Sequence, residues 1–216
     1  MTTRTLFPTL IYRHALAGAD QRRLNQDLED ECRSLSLSDE AGRRWSAKNY
    51  LGGYTSYGSL DRLHLVSSLF TRLKRRIDPH VRAYARALHY DLAGLSLEMT
   101  DCWANVMPAG VVHSLHLHPT SFVSGTYYVA VPKGAGAIKF EDPRLGLMMA
   151  TPPRRADAPA AVHSFVSQPA KAGEIVLFES WLRHEVPPAR FSGERISISF
   201  NYAWTAREQA GRGRRG

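Results

Sequence analysis

Arg195-Ile-Ser-Ile-Ser-Phe200 alternates without a break: Ile196, Ile198 and Phe200 share one face, and Arg195, Ser197 and Ser199 share the other. A period of two marks a strand with one apolar and one polar side. The run extends over residues 195–204, and comparable short runs precede it at 97–107, 122–131, 137–141, 162–166 and 174–178. Turn signals separate them: Pro108-Ala-Gly110, Pro132-Lys-Gly134, Lys171-Ala-Gly173 and Pro187-Pro188. Short strands at this spacing predict a double-sheet jelly roll or barrel. Residues 142–161 are proline-rich and aperiodic, a long loop of the kind that often forms an active-site lid.

The first half of the chain has a different period. Leu24, Leu28, Cys32 and Leu35 fall at helical spacing within 19–35, which predicts an amphipathic surface helix. Residues 42–58 are rich in Gly, Ser and Tyr and read as a loop. A second helix is expected from Ser59 or Asp61, with Leu63, Val66, Phe70, Leu73 and Ile77 as its apolar stripe. Asp78-Pro79 predicts a fresh helix start, continued by Val81, Tyr84, Ala85 and Leu88. The expected fold is mainly β with N-terminal helices: one domain, largely helical over 1–94, a jelly-roll core over 95–204, and a basic tail over 205–216.

The chain has 216 residues, 44% hydrophobic and 22% charged, enough to bury a core without disulfides or structural metals. It contains no apolar run long enough to span a membrane, and its first residues lack the apolar core of a secretory signal. A cytoplasmic location is expected. Cys32 and Cys102 are not in zinc-like spacing and read as free thiols. The net charge is +8, of which +3 lies between Trp204 and Gly216. That tail leaves nucleic-acid contact open, but it lacks the aromatic side chains of a stacking platform. The remaining positive charge suits an anionic small molecule. A homodimer also stays open.

Three of the nine histidines, His113, His116 and His118, fall within six residues. On an extended strand His116 and His118 face the same way, and His113 would face away. His184, just after a predicted strand, is the best candidate for a third ligand. Imidazole suits iron(II), and oxygen chemistry needs an open face opposite the protein ligands. Arg195 lies eleven residues after His184, and its planar fork matches a carboxylate, with Ser197 on the same strand face. The competing reading is a structural ion pair with Glu141 or Asp142. Trp103, Tyr127, Tyr128 and Trp181 are candidate cavity walls, or ordinary core aromatics.

Four stretches together resemble a family of iron(II)/2-oxoglutarate oxygenases with a His-x-His-Pro signature. They are His116-x-His-Pro-x-Ser-x-x-Ser-Gly-x-Tyr-Tyr-Val, Phe140-Glu-Asp-Pro-Arg144, Gly173-Glu-Ile-Val-Leu-Phe-x-Ser-Trp-Leu-x-His184 and Glu194-Arg-Ile-Ser-Ile-Ser-Phe-Asn201. Leu6-Phe-Pro8, Gly53-Tyr-Thr-Ser56 and Trp103-x-Asn105 extend the likeness to nearly the whole chain. The resemblance implies a double-stranded β-helix, Fe(II) as cofactor, 2-oxoglutarate and O2 as cosubstrates, and hydroxylation of a C–H bond. It implies that His116, His118 and His184 form the catalytic metal site and that Arg195 and Ser197 hold the distal carboxylate. Asn105 would bond 2-oxoglutarate, and Asn201 would make a second anion contact. The wider superfamily keeps Asp or Glu where this chain has His118, so His118 either ligates or stands aside as in a halide-binding oxygenase. The other reading is a cupin-like metal-binding protein or a different metalloenzyme on the same barrel. The substrate class, whether amino acid, peptide, natural product or nucleic acid, is not legible.

Overall fold

The alternation at Arg195 becomes the two faces of one long strand. In the computed structural model, which describes residues 2–206, the elements in order are β1 (Tyr12–Ala15), α1 (Gln21–Ser38), α2 (Glu40–Asn49), β2 (Tyr54–Thr55), α3 (Leu63–Val66), α4 (Ser68–Ala87), β3 (Leu95–Pro108), β4 (His113–His116), β5 (Val123–Ala130), β6 (Ile138–Glu141), β7 (Phe165–Gln168), β8 (Glu174–Glu179), β9 (His184–Val186) and β10 (Glu194–Ala206). One sheet runs β1-β8-β5-β10-β3-β2 and the other β4-β9-β6-β7. Every ladder between named strands is antiparallel. The two sheets form the expected jelly roll.

Strand β10 pairs along its whole length with β3, from Glu194↔Pro108 to Ala206↔Leu95, and with β5 on its other edge. Its outer face carries Ile196, Ile198 and Phe200, all fully buried. They join Ala104, Val106, Tyr127 and Ile175 of the sheet with Leu24, Leu28, Phe70, Leu73, Ile77 and Val81 of α1 and α4. Burying a side chain of this size contributes about 1.5–3 kcal/mol, so the helices are held by one continuous apolar sheet face. The inner face carries Arg195, Ser197, Ser199 and Asn201, opposite Met107, Asn105, Trp103 and Asp101 of β3. Polar side chains in that row have no place in a core and form the floor of a cavity between the sheets.

Helix α1 and its stripe are where the sequence places them. Three expectations change. Residues 42–58 are not one loop: α2 occupies Glu40–Asn49, started by Asp39, whose side chain accepts from the Gly42 N–H at 2.9 Å. The stripe residue Val66 is 73% exposed, because α3 is a separate short turn and Ser67 begins α4. Helix α4 also continues through Pro79. Proline costs a helix interior about 3 kcal/mol; here Phe70, Leu73, Ile77, Val81 and Tyr84 bury one face across that point, which outweighs it. Asp78 serves α4 not as a cap but as an acceptor for Lys74 and the Tyr202 hydroxyl.

The 142–161 segment holds two short 3-10 turns, Leu145–Leu147 and Ala160–Val162, and none of its residues lines the cavity. It is not the expected lid in this structure. Thr205 and Ala206, read as tail, close β10; residues 207–216 lie outside the described residues. Among the described residues no helix is long and apolar enough to cross a membrane.

Gly125 on β5 shows how tightly the outer face is packed. A Cβ there would meet Phe200 at 2.6 Å and Leu177 at 2.7 Å. Gly125→Ala is therefore expected to destabilise the protein by about 1–3 kcal/mol, as overpacking does. Urea unfolding measures this, and a variant as stable as wild type would show that the Phe200 layer is loose.

Candidate metal centre

The three histidines converge through two different backbone devices. His116 and His184 are direct cross-strand partners on β4 and β9, so their rings meet with centroids 4.3 Å apart. His118 lies beyond the end of β4, where its backbone N–H donates to the Ser180 carbonyl at 2.9 Å. Its ring centroid is 5.2 Å from both others. One nitrogen from each ring lies within 4.8 Å of the others. His116 and His118 share the cavity, but not by strand parity, since β4 ends at His116 and His118 follows it.

The hydrogen bonds also select a tautomer. His116 Nδ1 lies 2.6 Å from the Ser114 carbonyl, His184 Nδ1 lies 2.9 Å from the Leu182 carbonyl, and His118 Nδ1 lies 2.6 Å from Asn201 Oδ1. Carbonyl oxygens only accept, so each Nδ1 carries a proton, which leaves Nε2 as the nitrogen each ring can offer a metal. Three imidazoles that can each offer Nε2 suit a first-row transition metal.

His113 departs from its expectation. From His113↔Val186 to His116↔His184, β4 advances three residues while β9 advances two. The extra residue is a bulge, which restores the facing of a strand segment. His113 therefore lines the same cavity, with its ring edge-on to Tyr50 at 4.4 Å. Burial, with Arg195 adding to it, pushes His113 down to about 3. Burial, followed by His116, pushes His184 to about 3 as well.

Arg195 is 3% exposed and ends the floor beside this pocket. Neither acid considered from sequence pairs with it: Glu141 takes Arg183 and Asp142 takes Arg144, each at 2.8 Å. Its contacts are Ser197 Oγ at 3.4 Å, Met107 Sδ at 3.9 Å and the Tyr128 ring at 5.0 Å. Arg195 Nε, the Tyr50 and Tyr128 hydroxyls and Asn105 Oδ1 are buried without partners. Asn105 Nδ2 donates to Ser199 Oγ at 3.1 Å. Asn201 differs from its expectation as a free anion contact, since both polar atoms of its amide are already engaged within the protein.

The cavity holds about 410 Å³, within the range of small-molecule sites. Trp103 lines it together with Trp45 and Tyr57, the latter 5.1 Å from Trp103. Trp181 is half exposed and Tyr127 points to α1, bonding Gln21 and Asn25; neither is a wall. Tyr50, Trp45 and Tyr57 carry no sequence signal of their own, because they reach the cavity from the segment read as a loop. Gly53 permits this: a Cβ there would strike the Tyr50 ring at 2.5 Å.

Residues 101–201 match the family described as "Putative 2OG-Fe(II) oxygenase". Over those residues, somewhat less than half of its length, the chain is similar to the iron(II)- and 2-oxoglutarate-dependent oxygenases, enzymes whose metal is iron and whose cosubstrate is 2-oxoglutarate. The fold is shared with a prolyl-4-hydroxylase of Pseudomonas putida (19% identity, TM-score 0.59, 90% of this chain and 92% of that one). It is shared with the non-haem epimerase SnoN of nogalamycin biosynthesis (17%, 0.62, 90% and 76%). It is shared also with HygX of Streptomyces hygroscopicus, solved with nickel, 2-oxoglutarate and hygromycin B (14%, 0.60, 90% and 83%). These likenesses establish the double-stranded β-helix. No curated protein matches the chain.

The depressed histidines have a sign. Between about pH 6.5, the ordinary value, and about 3, the unfolded chain binds protons that the folded rings refuse. Stability of the metal-free protein is therefore lost as pH falls through that window. Its Tm is expected to drop from pH 6.5 to 4, and His113→Gln should flatten the slope. Parallel pH profiles for wild type and variant would contradict a buried neutral His113.

Proposed function

We propose that the protein hydroxylates a C–H bond of a small-molecule or peptide substrate, with iron(II) held by His116, His118 and His184 and 2-oxoglutarate anchored by Arg195. The observation that carries the reading is a buried guanidinium with no acid beside it. A buried unpaired charge costs several kcal/mol, and a bound dicarboxylate would offset that cost. The donors are in place: Arg195 Nε is unpartnered, and Ser197 Oγ lies beside Nη1. Burial raises the Tyr50 and Tyr128 phenols, so both stay protonated and able to donate. Asn105 joins them if its amide turns, giving its oxygen to Ser199 and its NH2 to the cavity.

When bound, the iron and its cosubstrate would supply the oxidising chemistry, releasing succinate and CO2. The chain's own residues hold three neutral nitrogens in fixed orientation and neutralise the cosubstrate's far charge. They also wall the substrate side with Trp103, Trp45 and Tyr57. A cupin-like or zinc site has no use for a buried anion anchor, so Arg195 argues against that alternative. Two buried free thiols, Cys32 and Cys102, are suited to a reducing cytoplasm.

Anaerobic addition of iron(II) and 2-oxoglutarate should produce a visible charge-transfer band, and admission of O2 should yield succinate. His116→Ala and His184→Ala should each abolish the band; its persistence in either would refute the ligand set. Arg195→Met is expected to weaken 2-oxoglutarate binding by about 30-fold or more, while the Tm of the ligand-free variant rises. A variant that binds 2-oxoglutarate normally, or whose ligand-free form is markedly less stable, would contradict an unpaired anion anchor.

A further inference from the structure

The third histidine has a support that the other two lack. Asn201 lies directly across the ladders from Asp101 on β3 and Ser124 on β5. Its Oδ1 is 2.6 Å from His118 Nδ1 and accepts from Ser124 Oγ at 2.8 Å. Its Nδ2 donates to Asp101 Oδ2 at 3.3 Å. Ser124 Oγ also lies 2.9 Å from His118 Nδ1 and 2.8 Å from Ser180 Oγ. A carboxylate only accepts, so the amide has one allowed orientation: NH2 toward Asp101, oxygen toward the imidazole. Asn201 is 6% exposed and both serines are fully buried, so water does not compete.

His116 and His184 donate to backbone carbonyls, which are neutral. His118 alone is linked, through one amide, to a side chain with a full negative charge. Among the described residues Asp101 forms no ion pair. Its hydrogen bonds come from Asn201 and the Thr100 hydroxyl. Hydrogen bonds in series polarise one another, and a negative group behind a ligating imidazole raises its basicity.

We propose that Asp101 and Asn201 are a positioning pair for His118: they lock its ring with Nε2 toward the metal and pass negative character onto it. This is how a three-histidine site recovers part of the donation that a carboxylate ligand would give. The proposal rests on the reading of the triad as a metal site. Asn201 thereby serves the metal end of the cavity and not the cosubstrate anchor.

Cobalt(II) serves as the probe, by anaerobic titration and ligand-field absorption of the full-length protein. Asn201→Leu is expected to weaken cobalt binding about 10- to 100-fold, the effect of losing an outer partner of a ligand, and to shift the ligand-field bands. Asp101→Asn keeps the shape and a hydrogen-bonding group but removes the charge; it should fold as wild type and shift the bands in the same direction with a several-fold loss. Adding Asn201→Leu to His118→Ala should cost little more than His118→Ala alone. If His118→Ala weakens binding but Asn201→Leu and Asp101→Asn leave affinity and spectrum unchanged, or the double variant is fully additive, the positioning role is overturned. If His118→Ala itself changes nothing, the ligand assignment falls, and this proposal with it.

Discussion

The antiparallel pairing of β3 with β10 is the constraint on which the rest of the structure depends. It runs the full length of both strands with one register shift, between Asn201 and Tyr202, and alternation from Arg195 to Asn201 separates two environments that could not otherwise be so close. One side is an apolar layer that holds α1 and α4. The other is a polar floor with a guanidinium near one end and a carboxylate toward the other, Arg195 and Asp101. At about 3.3 Å per residue, the positions from Arg195 to Asn201 span roughly 20 Å. The minor sheet lays the histidines over that span, so the order of groups in the cavity follows the register of a single ladder.

Such a floor works against stability. A buried cation without a counterion, three imidazoles (His113, His118 and His184) whose protonated form burial disfavours, and two phenols without partners are all arrangements that a core selected only for folding would avoid. The apolar face of the same strands compensates, through residues such as Phe200, Ile198 and Tyr127, which are completely buried. Function and stability are thus placed on opposite sides of the same backbone.

How much of this was legible in the sequence follows from which interactions are local. Alternation is local, so β10, β3 and β5 and the shared face of Arg195 and Ser197 could be read directly, whereas Asn105 came only from the family resemblance. The closeness of His116 and His118 in sequence and the position of His184 after a strand pointed to their grouping, but His118 reaches it from beyond β4, where parity does not apply. What escaped was set by distant partners. Helix α2 forms in a stretch of loop-like composition because Asp39 caps it and residues around Ser46 and Thr55 bond to one another. Helix α4 ignores Pro79 because a sheet lies beneath it. The inward turn of His113 depends on a bulge against β9, and no residue in 113–116 announces that bulge. Residues 101–201 carried nearly all of the site, while Tyr50, Trp45 and Tyr57 came from a segment whose composition reads as a loop and whose one quoted motif, Gly53-Tyr-Thr-Ser56, includes none of them.

That bulge has a consequence for how the site can change over evolutionary time. In a regular strand, His113 and His116 would be tied to opposite sides, and any change in the number of residues between them would exchange their faces. With one residue already out of register, the segment before the bulge and the segment after it are aligned with β9 independently. A deletion within 113–116 would turn the His113 side outward while leaving the His116–His184 pairing undisturbed. The wall beside the anion anchor can therefore be remodelled by insertion or loss of a single codon, with the metal ligands kept in place.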